Sequence, residues 1–193
     1  RENAYSTVLT GSGTDSRCAL SNEPPKEVDE ERVMFQLHSR LAEDTVPVGR
    51  FPLSLLLLSK DANYPWCLLV PLREDVFEIH HLGERDQQQL MRESCRLAEV
   101  MTSVFDADKM NVAALGNVVP QLHVHHIARF ETDPAWPQPI WGVKPAAGYS
   151  EAQLQDRLDH LRSALVGDDF DVLESLENLE VSLVDTTGPG DWY

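Results

Sequence analysis

Between residues 51 and 72 the chain reads FPLSLLLLSKDANYPWCLLVPL, two apolar runs flanking a short polar stretch. The Asp, Asn and Pro of KDANYP mark a turn, so the runs predict an antiparallel strand pair. Leu55, Leu56, Leu57 and Leu58 do not alternate with polar residues. A strand of that kind is covered on both faces. A helix on one side and a second subunit on the other would cover it, as would another covering element of the same chain. The chain therefore needs a layered fold.

The surrounding segments supply the layers. Residues 33 to 38, VMFQLH, read as a short strand. From Gly83 to Phe105, Leu90, Ser94, Leu97, Met101 and Val104 recur at steps of three and four, with Met91, Ala98 and Phe105 widening the stripe. That period predicts an amphipathic helix. MNVAAL (110–115) and QLHVHHIARF (121–130) read as two further strands joined by GNVVP. A Pro-rich loop with Trp136 and Trp141 follows. Ser150 with Gln153 has the form of a capping box, and Leu154, Leu158, Leu161 and Leu165 line a second helix. The order β-β-β-α-β-β-α predicts an α+β fold, a mainly antiparallel five-stranded sheet with two helices.

A length of 193 residues with 42% hydrophobic composition suits one packed domain with extensions. Residues 1–30, with TGSGTDS and a Pro-rich acidic run, read as a flexible N-terminal extension. The domain spans 31–166. Residues 167–193 hold eight acidic residues and no Lys or Arg, and read as an acidic tail. The net charge of −16 disfavours a nucleic-acid polymer as partner, although a pocket can be locally positive. Cys18, Cys67 and Cys95 form no CxxC, which argues against a disulfide framework or a zinc-thiolate site. Cys67 and Cys95 read as core thiols, and a reducing, cytoplasmic setting is expected. No signal peptide is evident, and the longest apolar run is too short to cross a membrane.

The chemistry concentrates in QLHVHH. Alternation puts Gln121, His123, His125, Ile127 and Arg129 on one face of a strand, and Leu122, Val124, His126, Ala128 and Phe130 on the other. His126 then falls on the core side, as a hydrogen-bonded or edge histidine. Gln121, His123 and His125 form a polar row beside a Gly-containing loop. Arg129 reads equally as a surface residue or a ligand contact, and His80 and His81 as surface or packing residues.

NVAALGNVVPQLHVHHIAR resembles the signature of the histidine triad (HIT) family: an Asn-containing strand, a Gly-Gln/Asn phosphate loop, then alternating histidines. The resemblance covers roughly residues 33 to 142. It is closest to a bacterial branch with a QxHxH form of the motif. It implies a HIT-like fold, a nucleotide ligand, no cofactor or metal, and a two-fold homodimer. Carried over by position, it makes His123 the nucleophile toward the α-phosphate and His125 a catalytic partner. It places Gly116, Asn117, Asn111, Gln121 and Asp61 around the substrate. Gln121 stands where the family has its first histidine, and Val118 where a hydroxyl often meets phosphate.

Imidazole attacks phosphorus only when unprotonated, with one nitrogen free and the other held by an acceptor such as a backbone carbonyl. The N–H groups of the loop at 116–118, the Asn117 amide and a protonated His125 would stabilise the developing charge. His125 is also a candidate proton donor to the leaving group. The expected function is a nucleotide hydrolase or nucleotidyl transferase acting on a nucleoside phosphoramidate or dinucleoside polyphosphate. A nucleotide-binding protein with little turnover is one alternative. A cupin-like metal protein, with His123 and His125 as ligands, is another.

Overall fold

The computed structural model describes residues 35–167, 169–176 and 181–184. The expected N-terminal extension, with Cys18, lies outside the described residues. The elements run β1 (Phe35–His38), α1 (Ser39–Asp44), β2 (Thr45–Arg50), β3 (Ser54–Ser59), β4 (Trp66–Pro71), α2 (Glu84–Phe105), β5 (Lys109–Ala113), β6 (Val124–Arg129), α3 (Glu151–Leu165), β7 (Asp171–Val172) and β8 (Val181–Val184). A 3-10 turn at Ile79–His81 precedes α2.

The main sheet has the order β5-β6-β4-β3-β2-β7, with every pair antiparallel. It has six strands rather than the five expected. The expected first strand is present as β1, but it pairs in parallel with β8 in a separate two-stranded sheet. β2 takes its place. Its sequence TVPVGR hides a strand behind Pro47 and Gly49, and its register shifts between these two residues. Gly49 is needed because a Cβ there would collide with the Phe170 ring and the Asp171 carbonyl, which bring β7 alongside. The fold therefore continues past residue 166 into the acidic stretch, where Phe170 is buried.

The run at 55–58 is fully buried, as its pattern demands. Leu56 and Leu58 join Cys67, Leu69, Val124 and Ala128 against Leu90, Leu97 and Met101 of α2 and Leu158, Leu161 and Leu165 of α3. Leu55 and Leu57 point the other way. Leu37 of β1, Leu41 of α1 and Val119 cover them, with Leu173 and Leu176 packed alongside. The chain thus dries both faces by itself, with α1 and β1 in the place that the sequence left open to either a second subunit or another element of the same chain. Each fully buried leucine contributes about 2–3 kcal/mol of hydrophobic stabilisation.

The α2 stripe is narrower than its sequence period suggests. Leu90, Ser94, Leu97 and Met101 are buried, but Met91 is 63% exposed. Cys95 is exposed too, so of the two expected core thiols only Cys67 lies in the core. α3 starts with the predicted box, the Ser150 side chain accepting from the Gln153 N–H and the Gln153 side chain accepting in return from the Ser150 N–H. No helix among the described residues is long and apolar enough to cross a membrane.

Candidate active site

Strand β6 distributes its histidines by alternation. His126 faces the helices and is fully buried. Its Nδ1 lies 3.2 Å from the Val124 carbonyl, and its Nε2 2.7 Å from the Ser94 hydroxyl of α2. A carbonyl only accepts, so Nδ1 carries the proton and Ser94 donates to Nε2. Burial pushes its pKa down to about 4, against these two hydrogen bonds. Of the two readings that its phase allowed, a hydrogen-bonded or an edge histidine, it is the first.

His123 and His125 lie on the other face, their rings 4.7 Å apart and nearly perpendicular. Both border a cavity of about 350 Å³. The loop carrying Gly116, Asn117 and Val118 forms one wall. Arg40, Leu41 and Asp44 of α1 form another, and Ser59, Trp66, Leu68 and Trp141 complete it. Gly116 has φ +70°, a left-handed conformation that suits glycine and turns the loop. Among the described residues, no other group takes the N–H of Gly116, Asn117 or Val118.

The two rings hold different tautomers. The Nδ1 of His123 is 2.7 Å from the Gln121 carbonyl, so it donates that proton and leaves Nε2 with a free lone pair. Burial holds its pKa below the ordinary histidine value. The Gln121 hydrogen bond opposes this shift, and nearby His38 adds to it. The Nδ1 of His125 lies 3.0 Å from the Trp66 indole nitrogen. Indole only donates, so Nδ1 is bare and the proton sits on Nε2. Burial, with His123 and His126 nearby, pushes the pKa of His125 down to about 3. The expected protonated His125 is therefore replaced by a neutral ring. Its Nε2–H can donate a hydrogen bond to phosphate, but a neutral imidazole does not readily surrender that proton.

The remaining expected residues divide. Gly116 and Asn117 line the cavity with the two histidines. The backbone of Gln121 orients His123, while its side chain turns to β1. Its Oε1 accepts from the His38 N–H at 2.9 Å, and its Nε2 donates to the Gln36 carbonyl at 2.7 Å. It thereby ties down the segment that leads into the α1 wall. Asn111 accepts from Arg129 at 2.6 Å and does not line the cavity. Asp61 accepts from the Asn63 and Ala147 N–H groups and borders a neighbouring chamber. Arg129, read as a surface residue or ligand contact, is only 1% exposed and forms a buried ion pair with Asp133.

Sequence reasoning missed Trp66, the α1 wall and Ser59. Trp66 shares its face of β4 with Leu68, which pairs directly with His125. Only the β4–β6 register could have revealed its role. Replacing Gln121 with alanine is expected to lower stability by about 1–2 kcal/mol, because it removes two hydrogen bonds to the β1 backbone, one of them part-buried. Amide exchange at His38 should accelerate, while the carbonyl that holds His123 stays in place. Thermal unfolding and hydrogen exchange measure both effects.

Among the described residues, no group of three or more His, Cys, Asp or Glu is arranged to hold a metal ion. The open six-stranded sheet flanked by helices also differs from the many-stranded barrel of a cupin.

Comparison with known proteins places these features. The HIT domain profile matches residues 40–132. The crystal structure of a histidine triad protein from Bradyrhizobium japonicum is 49% identical, with a TM-score of 0.68, covering 69% of this chain and 99% of that one. One from Marinobacter aquaeolei VT8 is also 49% identical, with a TM-score of 0.67, covering 68% and 96%. A histidine triad (HIT) protein from Sinorhizobium meliloti 1021 is 39% identical, with a TM-score of 0.66, covering 68% and 97%. No curated protein matches the chain.

Proposed function

Since this chain belongs to the HIT domain family, we propose that it attacks the α-phosphate of a nucleoside phosphoramidate or dinucleoside polyphosphate through His123. The nucleotide then passes to water or another acceptor. One observation carries this reading: the Gln121 carbonyl fixes the His123 tautomer so that a bare Nε2 stands in a cavity beside the loop at 116–118. The depressed pKa of His123 supports it, because the ring stays unprotonated at neutral pH.

In the first step Nε2 of His123 forms a bond to the α-phosphorus as the bond to the leaving nitrogen or oxygen breaks. The electron pair departs with the leaving group. An amine takes its proton from solvent, whereas a polyphosphate needs none. The ring becomes cationic, and its Nδ1–H stays on the Gln121 carbonyl. The loop N–H groups, the Asn117 amide and the Nε2–H of His125 donate to the phosphate oxygens, where charge develops. In the second step water attacks the phosphorus and His123 leaves as a neutral ring. A proton passes to solvent and the nucleoside monophosphate is released. Asn111 and Asp61 act as supports, the first through Arg129 and the second through the loop at 145–147.

The proposal sets the protein in the cytoplasm, in a bacterial branch marked by the QxHxH motif, and as a two-fold dimer. The outer edge of β5 pairs with no described strand, and Val112 on it is half exposed, so a second copy can extend the sheet there. Sedimentation should give twice the chain mass of 21.7 kDa.

The test is incubation with adenosine and guanosine phosphoramidates and dinucleoside polyphosphates, wild type against His123→Ala. Wild type is expected to release nucleoside monophosphate and to show a nucleotidyl adduct on the His123 peptide by mass spectrometry. The variant should show neither. Binding without product or adduct would favour a nucleotide-binding protein without turnover, a reading supported by the low basicity of His125. Neither binding nor product would sink both.

A further inference from the structure

A second chamber of about 370 Å³ adjoins the histidine cavity and shares Trp66 and Trp141 with it as a common wall. Each volume lies near the lower end of the range for small-molecule sites, about 300–1,000 Å³. Each therefore suits one nucleotide-sized group, and a ligand of two such groups needs both.

The second chamber is built by hydrogen bonds between distant segments. The Asp61 carboxylate accepts from the Ala147 N–H at 3.1 Å, and Ala62 donates to the Ala147 carbonyl at 2.6 Å. The Asn63 amide bridges Asp61 and the Pro145 carbonyl, at 2.7 and 2.9 Å. These bonds staple the loop at 144–148 to the turn at 60–63. They also bring together Lys60 and Lys144, two of the four lysines in a chain of net charge −16. Both lysines are exposed, and neither has a carboxylate partner among the described residues. The chamber's own carboxylates are occupied, Asp61 by the N–H groups above and Asp44 by Arg40 at 3.4 Å. The two ammonium groups, that of Lys60 also donating to the Glu43 carbonyl, are thus left without a counter-charge of their own for a ligand to meet, and Trp66 and Trp141 supply flat faces beside them.

We infer that this chamber receives the group that leaves when His123 takes the nucleotide, and that it selects a leaving group that is anionic and carries a flat ring. The inference rests on His123 as the nucleophile. Trp141, with its ring 5.6 Å from that of His125, stands at the passage between the two chambers. Beside the histidine pair the loop N–H groups, the Asn117 amide and the Nε2–H of His125 are neutral donors for the first phosphate, and Arg40, which also borders that cavity, lies near Asp44. The lysines would take the charge further along the chain of phosphates. A phosphorylated nucleoside is the simplest group with this chemistry.

The test uses calorimetric titration of the full chain with adenosine monophosphate and with a dinucleoside tetraphosphate whose α,β bridges are methylene groups, which resist cleavage. The dinucleotide should bind at least tenfold more tightly than the mononucleotide. Lys60→Glu with Lys144→Glu should abolish that gain and leave mononucleotide affinity within twofold. Lys144→Ala, which removes charge without reversing it, should lose about threefold for the dinucleotide only. A dinucleotide that binds no more tightly, or a gain that survives both charge reversals, overturns the chamber while leaving the His123 reading intact. Failure of both ligands to bind wild type overturns the nucleotide reading and the chamber together.

Discussion

Replacing Asp133 with alanine is expected to lower the unfolding free energy by about 3–5 kcal/mol, the usual cost of leaving a buried charge without its partner. The Arg129 side chain is 1% exposed and that of Asp133 is 4% exposed. Nε and one terminal nitrogen of Arg129 donate to the two carboxylate oxygens at 2.7 and 3.0 Å. The other terminal nitrogen donates to Asn111 at 2.6 Å, and a further bond reaches the Gln138 carbonyl at 2.9 Å. Burial works against the charge on Asp133. The Arg129 guanidinium and the N–H groups of Phe130 and Ala135 outweigh it and hold the carboxyl below its usual range. Alanine would remove the counter-charge while leaving a cation that cannot reach water. It would also free the loop after β6, since Asp133 accepts from the Ala135 N–H within it. That loop carries Trp141 to the cavity, so ligand affinity should fall with stability. Urea unfolding measures the first effect and titration the second. Arg129→Met with Asp133→Leu separates charge from shape. If the cost comes from the unpaired cation, the double variant should recover most of the lost stability. A loss below about 1 kcal/mol in Asp133→Ala would mean that the pair is not the clamp described here.

This pair also shows what a sequence conceals. Arg129 stands in phase with the histidines, and nothing local separates a buried guanidinium from an exposed one. Its partners come from β5, from the turn after β6 and from Gln138, and only the folded chain brings them together. The strand pair β3–β4 was legible because its signals are local: two apolar runs and a turn. The same is true of α3, whose capping box is four residues long. β2 was hidden because Pro47 and Gly49 argue against a strand, and the reason for Gly49 is Phe170, which is remote in sequence. β7 is two residues in an acidic stretch, too short for any period to emerge. The element that covers Leu55 and Leu57 stayed hidden for a related reason. α1 is six residues long with one buried leucine, Leu41, and such a segment does not look like a layer. In the candidate site, the common face of His123 and His125 follows from alternation alone. Their protonation does not. It depends on the Trp66 indole and the Gln121 carbonyl, and so on register and loop geometry.

Protonation leads to the second large effect, because acid is expected to destabilise the fold well before the carboxylates titrate. In the unfolded chain His125 and His126 titrate near 6.5, and in the folded chain at about 3 and 4. Below pH 6.5 the unfolded state therefore binds protons that the folded state refuses. The stability from keeping these rings neutral is complete above that pH and drains as the pH falls toward the folded values. From pH 7 to pH 5 each ring should cost about 2 kcal/mol, at about 1.4 kcal/mol per pH unit below 6.5. His123 is shifted in the same direction and adds to the loss. Denaturant midpoints across this range would measure the slope, and His126→Gln should flatten it by about one proton. Turnover should respond differently. With the pKa of His123 lowered, the fraction with a bare Nε2 should stay high below pH 6.5, so the acid limb of the rate profile should lie under the ordinary histidine value. A fold equally stable at pH 5 and 7 would contradict the neutral, buried rings on which both the tautomer assignment and the proposed attack depend.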